Sequence, residues 1–440
     1  MLKYILLLLM TISLLADEEE IRIHLATEQK LASLYLGQLH AEKSTLDPTY
    51  LTDLENVLYF DLNYNGSTRV LPRSLEKEEC LKKQPQAWTT LGCAHVVKGI
   101  IANDQLSIQV FSTHNGSLKH FNEVALTGIL SQDRKQIHKL ADSIHKALFD
   151  LEGVANSRIL YSVQAKPEGN SHWISEIWEC DWDGANVRQI TREGSYTITP
   201  VFIPTQSHFA TDRFLYVSYK QGQPKIYIAS LKEGRGERFI DLRGNQLLPA
   251  ISPKKDKIAF ICDAGGRSDL FLQPFHPEKG ELGKPVQLFS FPKSSQASPT
   301  FNPDGSKVAF VSDKDGSPRI YVIPAIQSSK RAEAVLLTKK NPESSCPAWS
   351  PDGTKLAYSA RTNGVRQIWI YDFESKEERQ LTMGSGNKEN PAWASDSIHL
   401  VFNSTDAASS ELYLVNLNQP EAIKITRGPG KKHYPAWGTK

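Results

Sequence analysis

The sequence predicts two parts, a small N-terminal α/β domain and then a six-bladed all-β propeller closed by the C-terminal strand. Three observations carry this. An anchor motif, fullest at Pro347-Ala348-Trp349-Ser350-Pro351-Asp352-Gly353, returns in worn form at Pro200, Pro249, Pro299, Pro391 and Pro435. In chain order the anchors lie 49, 50, 48, 44 and 44 residues apart, a period that belongs to propeller blades. The residues before about 152 lack the repeat and mix helical with strand periodicity. The expected boundaries are a signal peptide over 1–16, the α/β domain over 17–152 and the propeller over 153–440.

Taken in order, Lys3 followed by the apolar run Tyr4 to Leu15 and a small Ala16 reads as a removable export signal, too short to span a membrane. The acidic run Asp17-Glu18-Glu19-Glu20 follows it, and taken alone reads as a solvated tail. Ile21 to Leu25 alternates as a strand does. Asp47-Pro48 supplies an N-cap and a first-turn proline, and Leu51, Leu54, Val57 and Leu58 keep helical spacing after them. Strands are predicted over Val96–Ile101 and through Leu106, Ile108 and Val110, with turns at Asn103-Asp104 and Asn115-Gly116. The last helix places Ile137, Leu140, Ile144, Ala147, Leu148 and Leu151 on one face, with Gly153 set to end it.

Each later unit repeats four parts. The anchor is the innermost strand, its Trp or Phe filling the wedge between units, and Ser-Pro-Asp-Gly turns the chain. A second strand (Lys355-Leu356-Ala357-Tyr358) and a third (Gln367-Ile368-Trp369-Ile370) follow. A short outer strand ends in Thr, as at Thr191, Thr338, Thr382 and Thr426. Six anchors enclose only five complete units, while residues 158–200 hold three strands without an anchor. The terminal Pro435-Ala436-Trp437 strand is therefore expected to complete that first fragment and close the ring, which removes an exposed edge.

Charges nearly cancel, with 51 Lys and Arg against 49 Asp and Glu, and no basic stripe interleaved with aromatics marks a nucleic-acid surface. No long apolar segment follows the signal, so the mature chain is expected to be soluble. Of five cysteines, Cys80 and Cys93 are close enough in sequence to bridge in an oxidising compartment; a disulfide and free buried thiols both stay open. The sequence contains no nucleophile elbow, His-Glu-x-x-His, phosphate-binding loop or complete calcium loop. Asp181-Trp182-Asp183-Gly184 and Asp313-Lys314-Asp315-Gly316 read as hairpin turns, and no metal or cofactor is expected.

Binding is expected where each inner strand begins, since those segments surround one mouth of the central channel. They are Ser195, Tyr196 and Thr199 at the first anchor, Asn245, Gln246 and Leu248 at the second, and Ser295, Gln296 and Ser298 at the third. Glu343, Ser345 and Cys346 follow, then Asn387, Lys388 and Asn390, and finally Lys431, Lys432, His433 and Tyr434. The aromatic Tyr196 and Tyr434 are the expected interface anchors.

The repeats and the N-terminal domain together resemble the TolB family of the Tol–Pal envelope system. Asp61-Leu62-Asn63-Tyr64-Asn65-Gly66 is similar to the family's Asp-Leu-x-x-Ser-Gly segment, with Asn65 in place of Ser. Gln86-Ala87-Trp88-Thr89-Thr90-Leu91-Gly92 resembles its Trp-x-x-x-Gly segment, and Val96-Val97-Lys98-Gly99 the strand that follows it. Leu140-Ala141-Asp142-Ser143-Ile144 and Arg158-Ile159-Leu160-Tyr161 match its last helix and the start of its first blade. The resemblance implies a periplasmic scaffold without enzymatic activity. It would bind the peptidoglycan-associated lipoprotein Pal at a propeller mouth, and its N-terminus, here Asp17 to Glu20, would engage a TolA-type inner-membrane protein. Such a scaffold supports outer-membrane integrity and invagination during cell division. The alternative is a propeller enzyme, or a carbohydrate- or small-ligand-binding protein, that uses the central channel.

Overall fold

A computed structural model describes residues 21–23, 30–42, 44–80, 88, 91–167, 169, 172–203, 212–276, 280–326, 333–419 and 421–438. The predicted signal peptide and the acidic segment Asp17–Glu20 lie outside these residues.

Strand β1 (Arg22–Ile23) falls within the predicted 21–25 but joins no N-terminal sheet. It pairs antiparallel with Thr382–Met383 on the propeller. The alternation explains this: Ile21 and Ile23 share one face and are buried beside Leu381, Trp393 and Leu417, while Arg22 points out.

The N-terminal sheet consists of β2 (Ala32–Leu36), β3 (His40–Glu42), β4 (Thr68–Val70), β5 (His95–Ala102), β6 (Gln105–Ser112) and β7 (Leu118–Ala125). Its order is β4-β2-β5-β6-β7, with β3 also paired to β5. Strands β2, β3 and β4 form parallel pairs, whereas β5, β6 and β7 run antiparallel. Between β5 and β6 both Asn103 and Asp104 take positive φ, as the predicted two-residue hairpin requires.

Helix α1 (Pro48–Asn63) starts at the predicted cap, with the Asp47 side chain accepting from the Thr49 and Tyr50 N–H groups. A short α2 (Leu75–Cys80) precedes the long α3 (Leu130–Phe149). Ile137, Leu140 and Ile144 of α3 meet Leu54, Leu58 and Leu62 of α1 over the sheet. Gly153 does not end α3: Asp150 does, in the left-handed conformation at φ 58°, and Leu151 is exposed. Gly153 answers to a close approach instead, since a Cβ there would lie 2.2 Å from Asp142 Oδ1. Cys80 and Cys93 share one apolar cluster with Tyr35 and Trp88, and both are free thiols.

The propeller has six blades, each a four-stranded antiparallel meander, with one extra short strand (Gly280–Glu281) on the blade that begins at Gln246. As predicted, the C-terminal strand Lys431–Gly438 pairs with Arg158–Ala165 and supplies the inner strand of the shared blade. The outer-strand threonines have a definite task. Thr191, Thr338, Thr382 and Thr426 are buried, and each hydroxyl accepts from a third-strand N–H, those of Ile177, Ile320, Ile368 and Leu412. The hydroxyl replaces a ladder bond where the short outer strand departs. The predicted aromatic wedge is clearest at Trp393, whose Nε1 donates to Ala348 O of the preceding blade at 3.0 Å.

The two parts share one core. Leu58 and Ile137 belong to the same apolar cluster as Trp182 of the shared blade and Leu412 of the last complete blade. Segment Asp61–Gly66 is the seam. Trp182 Nε1 donates to Asp61 Oδ1 (2.9 Å), Gln419 Nε2 to Asn63 O (2.9 Å), His399 Nε2 to Tyr64 O (2.7 Å) and Asn418 Nδ2 to Gly66 O (2.6 Å).

Candidate partner-binding site at the propeller mouth

Every inner strand carries a register shift at the residue before its anchor proline. Those six residues take left-handed φ: Thr199 50°, Leu248 53°, Ser298 45°, Cys346 49°, Asn390 55° and Tyr434 52°. An L-residue resists this region, and a β-branched one resists it most. Six copies in register are a built feature, held by the blades around them. With their prolines the six line a cavity of about 160 Å³ on the channel axis. All six were predicted from sequence.

The residues three places before each proline behave otherwise. Gln246, Gln296, Lys388 and Lys432 are buried within their blades and turned away from a partner. Gln246 accepts from Ile226 N–H and donates to the Ile240 and Leu242 carbonyls. Lys388 Nζ donates to the Ser385 and Gly386 carbonyls, and burial pulls its pKa down to about 8. Lys432 pairs with Glu411 at 3.0 Å. Their assignment to the mouth is corrected: the bulge reverses which side chains face the axis, so strict alternation misplaces them.

The residues four places before the prolines form the rim, and several are tied to neighbouring groups. Asn245 Nδ2 donates to Asp263 Oδ2 (2.8 Å), Ser295 N to Asp313 Oδ1 (2.7 Å), and Asn387 Oδ1 accepts from Arg366 N (2.9 Å). Glu343 pairs with Arg361 at 2.5 Å. Ser195 O accepts from Ser175 N, and Tyr196 meets Tyr219 edge-on at 5.7 Å between ring centres. Lys431 is partly exposed.

One arc of the mouth is chemically distinct. Burial, with Tyr196, Cys346, Glu389 and Tyr219 nearby, pushes the Tyr434 phenol up to about 12, so it remains a hydrogen-bond donor. Burial and Lys431 pull the neighbouring His433 down to about 4, leaving it neutral. Burial likewise raises the Cys346 thiol. Glu389, missed in the sequence, lies two places before Pro391, in the column that also supplies Ser345 and His433. Arg366 holds both, with Nε 3.3 Å from Glu389 Oε1 and Nη1 donating to Ser345 Oγ at 2.9 Å. That shared column was the available signal. The arc offers phenols, a neutral imidazole and an ion-paired carboxylate around a narrow opening. Such a surface suits protein side chains, since Tyr and Arg are the residues hot spots favour.

Residues 145–440 match the family model described as the TolB beta propeller domain. The chain is 52% identical over 385 residues to a protein from Protochlamydia amoebophila named Protein TolB homolog, covering 85% of this chain and 82% of that one. It is 35% identical over 371 residues to the Protein TolB homolog of Chlamydia trachomatis serovar L2, covering 84% and 80%. Among solved structures, the crystal structure of TolB from Acinetobacter baumannii superposes with a TM-score of 0.76 over 96% of this chain and 100% of that one, at 19% identity, a likeness of fold. With repeat, ring and relatives in agreement, the chain belongs to the TolB β-propeller family.

Proposed function

We propose that this protein is a non-enzymatic periplasmic adaptor of the Tol–Pal type, which receives the soluble domain of the Pal lipoprotein at the propeller mouth. The observation that carries the reading is the ring of six left-handed, pre-proline residues around the channel, flanked by Tyr196, Tyr219, Glu389 and Arg366. Strained backbone at a concave, mixed-polar opening is what preorganised recognition requires. Glu343 and Glu389, the mouth carboxylates carried on the anchor segments themselves among the described residues, come from adjacent blades and are each engaged by an arginine, which favours a scaffold over acid–base chemistry. In this reading the acidic N-terminal segment Asp17–Glu20, just ahead of the docked β1, reaches a TolA-type inner-membrane partner, and the assembly supports the outer membrane at division. Among the described residues no helix is long and apolar enough to cross a membrane.

Calorimetry with the soluble Pal domain is the test. We expect a one-to-one complex that Tyr434→Asp weakens at least tenfold, about 1.4 kcal/mol, without lowering the melting temperature. Asp tolerates the left-handed conformation, so the ring should stay intact. Absence of heat at about 100 µM, a range that still detects weak complexes, would overturn the adaptor reading.

A further inference from the structure

The Asp181-Trp182-Asp183-Gly184 hairpin, a plain turn by sequence, meets helix α3 at the seam between the two parts. His138 Nε2 lies 3.9 Å from Asp181 Oδ2 and 3.8 Å from Asp183 Oδ2. The three donor atoms all fall within 4.8 Å of one another. The His138 and Asp183 side chains are each only 2% exposed. Nε2 is buried and has no hydrogen-bond partner.

We propose that His138, Asp181 and Asp183 form a zinc site that staples α3 to the shared blade. The other imidazole nitrogen is already committed, with Nδ1 2.8 Å from Asp61 Oδ2, and Asp61 is itself fixed by the Trp182 indole N–H. A carboxylate on the far nitrogen is the arrangement that orients metal-binding histidines. It aims Nε2 at the two hairpin carboxylates, so that one nitrogen and two oxygen donors face a common point. A proton on Nε2 reaches neither oxygen within hydrogen-bonding distance. A metal ion with bonds of about 2 Å reaches all three after the donors close by roughly half an ångström. One imidazole, two carboxylates and a water complete zinc's four-coordinate set.

The pocket is also prepared for such an ion. Gly184 holds the hairpin at φ 84° and packs so tightly that a Cβ would lie 1.8 Å from Ile425 O. Arg134 hydrogen-bonds Asp183, and Asn186 Nδ2 holds Asp181 Oδ2 at 2.7 Å, so both carboxylates are positioned in the metal-free chain.

The experiment is zinc titration of the untagged, chelator-treated full chain by calorimetry. We expect one equivalent bound at micromolar or tighter affinity, and a melting temperature that rises on loading. Asp181→Asn, at the most exposed of the three ligands, should cut affinity at least tenfold while the metal-free variant melts as the parent does. His138→Asn should abolish binding; if that chain does not fold, Asp181→Asn decides alone. No saturable binding at about 100 µM zinc overturns the proposal. So does one-equivalent binding that Asp181→Asn leaves intact, which would put the ion elsewhere.

Discussion

At the scale of single residues, strain and buried polarity mark the mouth. Thr199 is β-branched, left-handed and pre-proline, and its buried Oγ1 has no hydrogen-bond partner in the structure. Thr199→Asn should therefore stabilise the ring by about 1 kcal/mol, read as a higher urea midpoint with an unchanged slope. An unchanged or lower midpoint would show that the threonine carries no strain. The pre-proline columns were legible because the anchor fixes their register. Glu389 lies on an inner strand in the column of Ser345 and His433, but the residue type changes from blade to blade there, so the position shows only once the columns are aligned. His138 and the hairpin aspartates are more than 40 residues apart in sequence, so only folding brings them together.

At the scale of elements, the repeat dictated the blades and left the N-terminal sheet half seen. Strand β2 escaped notice because a parallel strand buried on both faces shows no alternation, and Leu34, Tyr35 and Leu36 are buried in a row; β3 escaped because its three residues, His40 to Glu42, are all exposed and carry no apolar pattern. Helix α3 was visible through its apolar face, but its end was not, as a left-handed aspartate is a weaker stop signal than glycine. Two predictions belong here. Thr426→Val keeps shape but removes the acceptor for Leu412 N–H and a donor to Glu411. It should cost about 1–3 kcal/mol in chemical denaturation. Deleting residues 431–440 exposes the edge of Arg158–Ala165. That truncation should elute as aggregate on size exclusion and lose its cooperative melt, whereas a monomeric, cooperatively folding product would show that closure is dispensable.

At the scale of the whole molecule, the seam decides how firmly the two parts move together. Buried His399 faces Asp396 Oδ2 at 2.6 Å through Nδ1 and donates to Tyr64 O through Nε2. Burial opposes its charge, but Asp396 and Tyr64 O carry its pKa above the ordinary 6.5. Asp396, despite its own burial, is held below the ordinary 3.8 by His399. The histidine's contribution is complete below 6.5 and is lost as pH rises through its raised folded value; the aspartate's is complete above 3.8 and is lost as pH falls through its lowered one. Docking should be strongest between those two limits. In calorimetric melts the parent should lose stability as pH rises above 6.5, while His399→Gln, weaker by about 3 kcal/mol at pH 6, should show a flatter profile. Parallel profiles would place the titration elsewhere.

The six lip residues also carry orientational information. Their backbones repeat around the axis, yet Thr199, Leu248, Ser298, Cys346, Asn390 and Tyr434 are all different. Six identical lips would present a docking partner with six equivalent azimuths and no preference among them. A ring with a one-of-each lip breaks that rotational degeneracy and admits a single azimuth. A partner received at the mouth, as proposed above, would thereby be fixed in direction relative to the α/β domain, which packs against the shared blade and the last complete blade.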